Sequence, residues 1–294
     1  MRKNIYYFNV TYTCNSNCIF CYSHNTIHSA RPHKELDFND FKEFLLREDL
    51  KSEDRVIING GEPFLHTSIM SFLIWLKEFE CEVLIYTNGR LLRNFDFGFV
   101  NKRYRFVIPI HGYKDLHDKI TKTKGSYLDT MKGLHHLEKY DCLVDVKIIL
   151  NNQMIDSECE FEKTKQSLDC LPFNNAVHIT QMADTVVSVR NGCATISPSK
   201  SSDFTNRLFK YYKDKRTVKL FDTCVKSIDV DSYSPVNIEL VVKCKDNSKE
   251  WPIDLYKEHK DCMKICDNAT YCETAVGEYT VLEYKDHKFY KALE

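Results

Sequence analysis

Short apolar runs rich in β-branched and aromatic residues alternate along this chain with stretches of helical periodicity, and that alternation limits the fold more than any other feature. Residues 5–11, 55–59, 82–87, 105–110, 143–150 and 176–182 read as six strands. Between them, Asp37 stands as an N-cap before Phe38, Phe41, Phe44 and Leu45, residues 68–79 carry Ile69, Phe72, Leu73 and Leu76, and residues 127–139 carry Leu128, Met131, Leu134 and Leu137 on helical spacing. Only residues 88–104 give no clear period and read as a helical or irregular crossover. Strands separated by helices require crossover connections and a parallel sheet, open or closed into a barrel. The fold class is therefore α/β.

Folds of this kind place ligands at the C-terminal ends of their strands. The loops expected there carry Gly60-Gly61-Glu62-Pro63, Asn88-Gly89, His111-Gly112 and Asn151-Asn152. The chain has nine glycines, and four of them fall in these loops. A Gly-Gly pair directly after a buried strand marks a place where backbone must come close to something else. After the first strand comes the densest chemistry: Cys14, Cys18 and Cys21, three thiols within eight residues that a tight loop can point at one inorganic centre. Two readings stand side by side. Three thiolates can hold three irons of a four-iron cubane and leave the fourth open, whereas His24 would complete a Cys3His tetrahedron around zinc.

Composition narrows the setting. A formal net charge of -1 provides no field that would draw the chain to nucleic acid or to an anionic membrane. The N-terminal apolar run is too short for a secretory signal, and no run approaches membrane-spanning length, so a cytoplasmic location is expected. In such a compartment thirteen cysteines speak for metal or catalytic roles rather than disulfides. Cys224, Cys244, Cys262, Cys266 and Cys272 form a second group near the C-terminus, while Cys81, Cys142, Cys159, Cys170 and Cys193 are scattered and read as small buried apolar residues.

Cys14-x3-Cys18-x2-Cys21 with Phe20 before the last thiol, followed by Gly60-Gly61-Glu62-Pro63 after the second strand, resembles the radical S-adenosylmethionine (radical SAM) superfamily. The resemblance implies a partial (β/α)6 barrel over residues 1–200 and a small cysteine-rich extension of SPASM or twitch type over residues 201–294. It implies that Cys14, Cys18 and Cys21 hold a 4Fe-4S cluster whose open iron binds the amine and carboxylate of SAM. Electron transfer into the sulfonium then yields a deoxyadenosyl radical that abstracts hydrogen from a substrate. Gly60, Gly61, Glu62 and Pro63 would meet the SAM amine, with Asn88 and His111 on the ribose or carboxylate, Lys147 pairing the carboxylate and Phe20 near the adenine. The segment from His111-Gly112 to Tyr127 is similar to the one found after the fourth strand in enzymes with such an extension, with His-Gly where those have Asp-Gly. Cys224, Cys244, Cys262, Cys266 and Cys272 resemble ligands of one auxiliary 4Fe-4S cluster, a zinc ribbon being the alternative. Cys193 is the candidate catalytic thiol, as a ligand or as a donor that returns hydrogen to a product radical.

By the same resemblance the expected activity is modification of a ribosomally made peptide by crosslinking, thioether formation, epimerisation or oxidation. The expected partners are the peptide or protein substrate and an electron donor of flavodoxin or ferredoxin type. With the cysteine loop starting at residue 14 no room is expected for an N-terminal leader-binding domain, so the barrel, the extension or a separate leader-binding protein would recognise the peptide. An activator acting on a sulfatase side chain, an enzyme acting on a small molecule, and a non-enzymatic zinc protein are the other readings.

Overall fold

In a computed structural model the described residues are 4–21, 35–155, 157–171, 176–181, 198–212, 215, 218–221, 279–284 and 287–293. Seven strands run parallel in chain order: β1 (Asn4–Thr11), β2 (Arg55–Gly60), β3 (Glu82–Tyr86), β4 (Tyr104–Pro109), β5 (Leu143–Leu150), β6 (Val177–Gln181) and β7 (Val218–Phe221). Two more, β8 (Tyr279–Tyr284) and β9 (His287–Leu293), form an antiparallel pair, and β9 docks antiparallel on the free edge of β1. The sheet order is β7-β6-β5-β4-β3-β2-β1-β9-β8, so the sheet has two edges and is an open, partial barrel.

The helices are α1 (Phe38–Arg47), α2 (Ile69–Leu76), α3 (Asp115–Thr121), α4 (Ser126–Leu137), the single turn α5 (Asn152–Ile155), α6 (Glu158–Asp169) and α7 (Pro198–Tyr212). Asp37 caps α1 as its position implies, its carboxylate accepting from the N–H groups of Asn39 and Asp40 at 2.8 and 3.3 Å. The α4 stripe departs from expectation. Tyr127, Met131, Leu134 and Leu137 are buried, whereas Leu128 is 56% exposed, because it lies one residue round from the buried face. Between β3 and β4 there is no α-helix but a 3-10 turn, Leu92–Asn94. Phe97 anchors that crossover against Phe106 and Phe64, with ring centroids 5.2 and 5.6 Å apart.

Strand alternation divides the sheet into two faces. Tyr6, Phe8, Val10, Val56, Ile58, Val83, Ile85, Phe106, Ile108, Val144, Val146 and Ile148 join the main core with the helices. The other face carries a small apolar floor of Ile5, Ile57 and Leu84 flanked by Tyr7 and Tyr86. Helix α7 spans residue 200, where a domain boundary was expected, and buries Phe204, Leu208 and Tyr212. The Phe161 ring of α6 meets Phe204 at 5.2 Å, and the Tyr212 hydroxyl donates to the Asp169 carboxylate at 2.9 Å. β7 then extends the parallel sheet beside β6. Among the described residues no helix is long and apolar enough to cross a membrane.

Phe41 is the centre of the aromatic cluster that fastens α1 and α2 to β1. Its ring is fully buried, 4.7 Å from both Phe8 and Phe72 and 5.8 Å from Trp75. Phe41→Ala is expected to lower the unfolding free energy by about 3–5 kcal/mol, read as a shift in the urea midpoint at constant slope.

Candidate active site

β1 delivers the chain into the cysteine loop, and two backbone contacts fix where that loop starts. The Gly61 N–H donates to the Thr11 carbonyl and the Glu62 N–H to the Thr13 carbonyl, both at 2.8 Å. A Cβ at Gly60 would stand 2.2 Å from the Thr11 oxygen and one at Gly61 2.3 Å from the Thr13 oxygen. Gly60 also has a φ of +139°, which only glycine adopts without strain. The diglycine is therefore required by the approach of its own chain.

Further along, the Asn17 and Ile19 N–H groups donate to the Thr121 and Ile120 carbonyls at 3.1 and 2.9 Å. The loop thus satisfies carbonyls that the last turn of α3 leaves without helical partners. Cys14, Cys18 and Cys21 are in no disulfide and are partly accessible, and the Ser16 N–H points at Cys14 Sγ at 3.4 Å. Burial pushes the Cys14 thiol up to about 11 and Cys18 to about 12, and the other thiols of the trio add to each rise by repulsion. Groups held so far above neutrality are poor nucleophiles, and their common repulsion is what a bound cationic centre relieves. Three cysteines within mutual electrostatic reach, on a backbone tied at both ends, fit the ligand set of a 4Fe-4S cluster.

Glu62 is fully buried, and its carboxylate is already engaged. Oε1 accepts from the Phe64 N–H at 3.1 Å and from the Thr87 hydroxyl at 2.7 Å, and Oε2 accepts from the Asn88 N–H at 2.8 Å. Burial pushes its carboxyl up from the usual range, opposed by those donors. Glu62 thereby joins the ends of β2 and β3. Pro63 opens the 3-10 turn Pro63–Leu65 that follows.

Asn88 is held from three sides. Its Nδ2 donates to Asn15 Oδ1 at 2.6 Å, its Oδ1 accepts from the Arg90 N–H at 3.1 Å, and its carbonyl accepts from the Thr130 hydroxyl at 2.9 Å. Helix α4 can come this close because of Gly133, where a Cβ would meet the Gly89 carbonyl oxygen at 1.9 Å. Asn15, Thr87, Arg90 and Thr130 are missing from the sequence reading. Asn15, Thr87 and Arg90 had one signal, their position inside the cysteine loop or beside Asn88-Gly89, and Thr130 on α4 had none.

His111 lies at the end of β4, fully buried, with its ring edge-on to Phe20 at 5.0 Å and stacked 5.4 Å from His117. The His111 N–H donates to His117 Nδ1 at 3.1 Å, and His111 Nδ1 has no hydrogen-bond partner among the described residues. Burial first, and then His117 and Lys147, hold the His111 imidazole well below its usual pKa. Lys147 sits on β5 with its Nζ 5.6 Å from the centroid of the Tyr86 ring, on the face away from the helices. On that face Asp145 also accepts two bonds from Arg105 at 2.8 Å and lies 2.7 Å from His178 Nε2. Asn151 is used locally, its Oδ1 accepting from the Met154 N–H at 3.2 Å.

The structure thus brings Cys14, Cys18, Cys21, Phe20, Gly60, Gly61, Glu62, Pro63, Asn88, His111 and Lys147 to the C-terminal ends of β1 to β5. His24, Cys193, Cys224, Cys244, Cys262, Cys266 and Cys272 lie outside the described residues. Of the cysteines expected to be small buried residues, Cys81 is buried, whereas Cys159 and Cys170 are exposed on and just after α6, where their helical spacing turns them outward.

The family model of the Radical SAM superfamily matches residues 8–168, and the chain belongs to that superfamily. It is similar to the Fe-coproporphyrin III synthase of Methanosarcina barkeri, 23% identical over 158 residues that make up 52% of this chain and 39% of that protein. It is also similar to an uncharacterised protein of Methanocaldococcus jannaschii, 26% identical over 191 residues, 59% of this chain and 64% of that one. The chain therefore spans less than two thirds of the length of either relative. Among solved structures, anSMEcpe with bound AdoMet superposes with a TM-score of 0.54 at 12% identity, covering 71% of this chain and 57% of that one. Streptococcus suis SuiB bound to precursor peptide SuiA gives 0.54 at 12%, covering 74% and 48%. At such identity these two likenesses describe the fold.

His117 supplies a pH test of the site. Burial lowers its imidazole from the ordinary 6.5 to about 4, so between those values the unfolded chain binds the extra proton and the folded one does not. Stability contributed by neutral His117 is complete above about pH 6.5 and lost as the pH falls toward 4, by up to ~3 kcal/mol. His117→Asn keeps an acceptor for the His111 N–H and should flatten the unfolding free energy over that window. An unchanged slope would mean that His117 is not the group responsible.

Proposed function

We propose that this protein binds a 4Fe-4S cluster through Cys14, Cys18 and Cys21 and uses it to cleave S-adenosylmethionine reductively, abstracting hydrogen from a peptide that it modifies. The observation that carries this reading is the joining of the three-thiol loop to the diglycine edge, with the loop's N–H groups tied to α3. The zinc alternative takes its fourth ligand from His24, outside the described residues. Among the described ones, no three Cys, His, Asp or Glu side chains surround a single point as zinc ligands would.

The parts then follow from the residues. The Ser16 N–H steadies charge on Cys14 Sγ, and the backbone at Gly60 and Gly61 offers carbonyl acceptors to an ammonium. Glu62 would meet the same ammonium while it braces Asn88, and Asn88 holds Asn15 in place within the loop. Lys147 offers a cation to a carboxylate, and Phe20 with His111 makes an apolar wall with one polar atom, Nδ1, toward a nucleoside. A substrate laid across the face of Tyr86, Lys147 and the Asp145–His178 pair would reach this rim from the sheet's open side. In this reading a peptide is crosslinked, epimerised or oxidised there, electrons come from a flavodoxin or ferredoxin, and a separate protein can present a leader segment. One auxiliary 4Fe-4S cluster would draw on Cys224, Cys244, Cys262, Cys266 and Cys272 in an extension that begins after β7, with Cys193 as ligand or hydrogen donor. Both anSMEcpe and SuiB have been described with peptides bound, which favours a peptide substrate. The similarity to Fe-coproporphyrin III synthase favours a small molecule as the second reading.

The test uses full-length protein purified without oxygen. Cys14→Ala/Cys18→Ala/Cys21→Ala is expected to reduce deoxyadenosine formation from SAM and dithionite to background while leaving iron at the auxiliary site. Cys266→Ala/Cys272→Ala should lower iron content and keep the first cluster. Zinc in place of iron and sulfide in the parent would end the reading. Deoxyadenosine formation stimulated by a candidate peptide, against that stimulated by a small molecule such as a porphyrin, separates the substrate classes.

A further inference from the structure

Arg90 follows Gly89 in the loop after β3, and its contacts run toward the cysteine loop. Nη1 donates to the Asn15 carbonyl and lies 3.3 Å from Ser16 Oγ, so one guanidinium grips two of the three residues between Cys14 and Cys18. The side chain is only 15% exposed. Its nearest carboxylate is Asp129 on α4, 3.9 Å from Nη2, and Asp129 also lies 3.9 Å from Arg93 and 4.0 Å from Lys132. The buried Nε has no acceptor among the described residues. A guanidinium held this far from water, with a shared carboxylate 3.9 Å away and Glu62 acting on it only through space, is expensive unless another anion stands nearby. Its grip on Asn15 and Ser16 places the guanidinium beside Cys14, the residue that precedes them in the loop. The missing anion is thus best supplied by thiolates and by whatever centre they hold.

We propose that Arg90 is a positioning residue for that centre, clamping the cysteine loop by its backbone and fixing a positive charge that favours the reduced, more negative state of the cluster. The inference rests on the cluster reading above. Reduction of a bound cluster adds one electron from an external reductant, and a fixed cation beside the sulfurs stabilises the product more than the reactant, raising the potential.

The experiment is a reductive titration followed by electron paramagnetic resonance on the reconstituted full chain without SAM, with iron counted in each sample. Arg90→Gln is expected to make reduction about tenfold less favourable, a fall of ~59 mV for a one-electron couple. Arg90→Lys, which keeps the charge and loses the fork, should stay near the parental potential while loading iron less completely. Asp129→Asn removes the counter-charge on the far side and should move the potential upward. Arg90→Gln at the parental potential with full iron overturns the proposal. If Arg90→Gln fails to load iron, Asp129→Asn decides, and an unmoved potential there overturns it. A parent protein with no cluster signal would instead refute the reading on which this one stands.

Discussion

Two stretches of backbone meet at a distance that no side chain could tolerate, and the site is built outward from that meeting. Residues 11–13 and 60–62 lie so close that a Cβ on either glycine would overlap a carbonyl oxygen. The contact sets the direction in which the chain leaves β1 and hence where Cys14 stands. It also drives Glu62 inward, where the Thr87 hydroxyl and the Asn88 N–H reach it from the next strand. Asn88 then returns to Asn15, and the circuit closes on the cysteine loop from which it started. A cofactor loop with few apolar side chains of its own is made rigid by such a ring of directed bonds.

Charge in this ring is distributed unevenly. The carboxylate of Glu62 is spent on structure, the imidazoles of His111 and His117 are kept neutral by burial, and the thiols are raised by burial and by one another. Arg90 is the fixed cation set against the loop. Sites that handle electrons at low potential depend on this kind of arrangement, in which few charges are present and each is held in place by many contacts.

Much of this was legible in the residues. Each of the six expected strands appears within a residue or two, because a buried parallel strand is written as a continuous β-branched run, and Asp37 caps its helix for the local reason that asparagine-like side chains do. Gly60-Gly61 could be flagged because a glycine-poor chain had placed them at a strand end. What stayed hidden was whatever depends on a distant partner. The brace that Glu62 makes was not visible because two of its three donors come from residues 25 and 26 positions away. Arg90 went unread, because nothing local reveals that Asn15 and Ser16 lie beneath it. Leu128 was misplaced by a single residue, enough to turn it from core to solvent. No periodicity could announce that β8 and β9 would join the sheet at β1 rather than at β7.

That last pairing has a consequence for how the chain is made. Asn4 is registered with Leu293, so the strand that feeds the cysteine loop gains its second neighbour only once residues 287–293 have been made. Until then β1 has an uncovered flank, open to pairing with other chains. The bond between the two ends of the sequence carries a high loop-closure cost and forms late. A nascent sheet would therefore hold the cysteine loop at an uncovered border until β9 arrives to close that flank of β1.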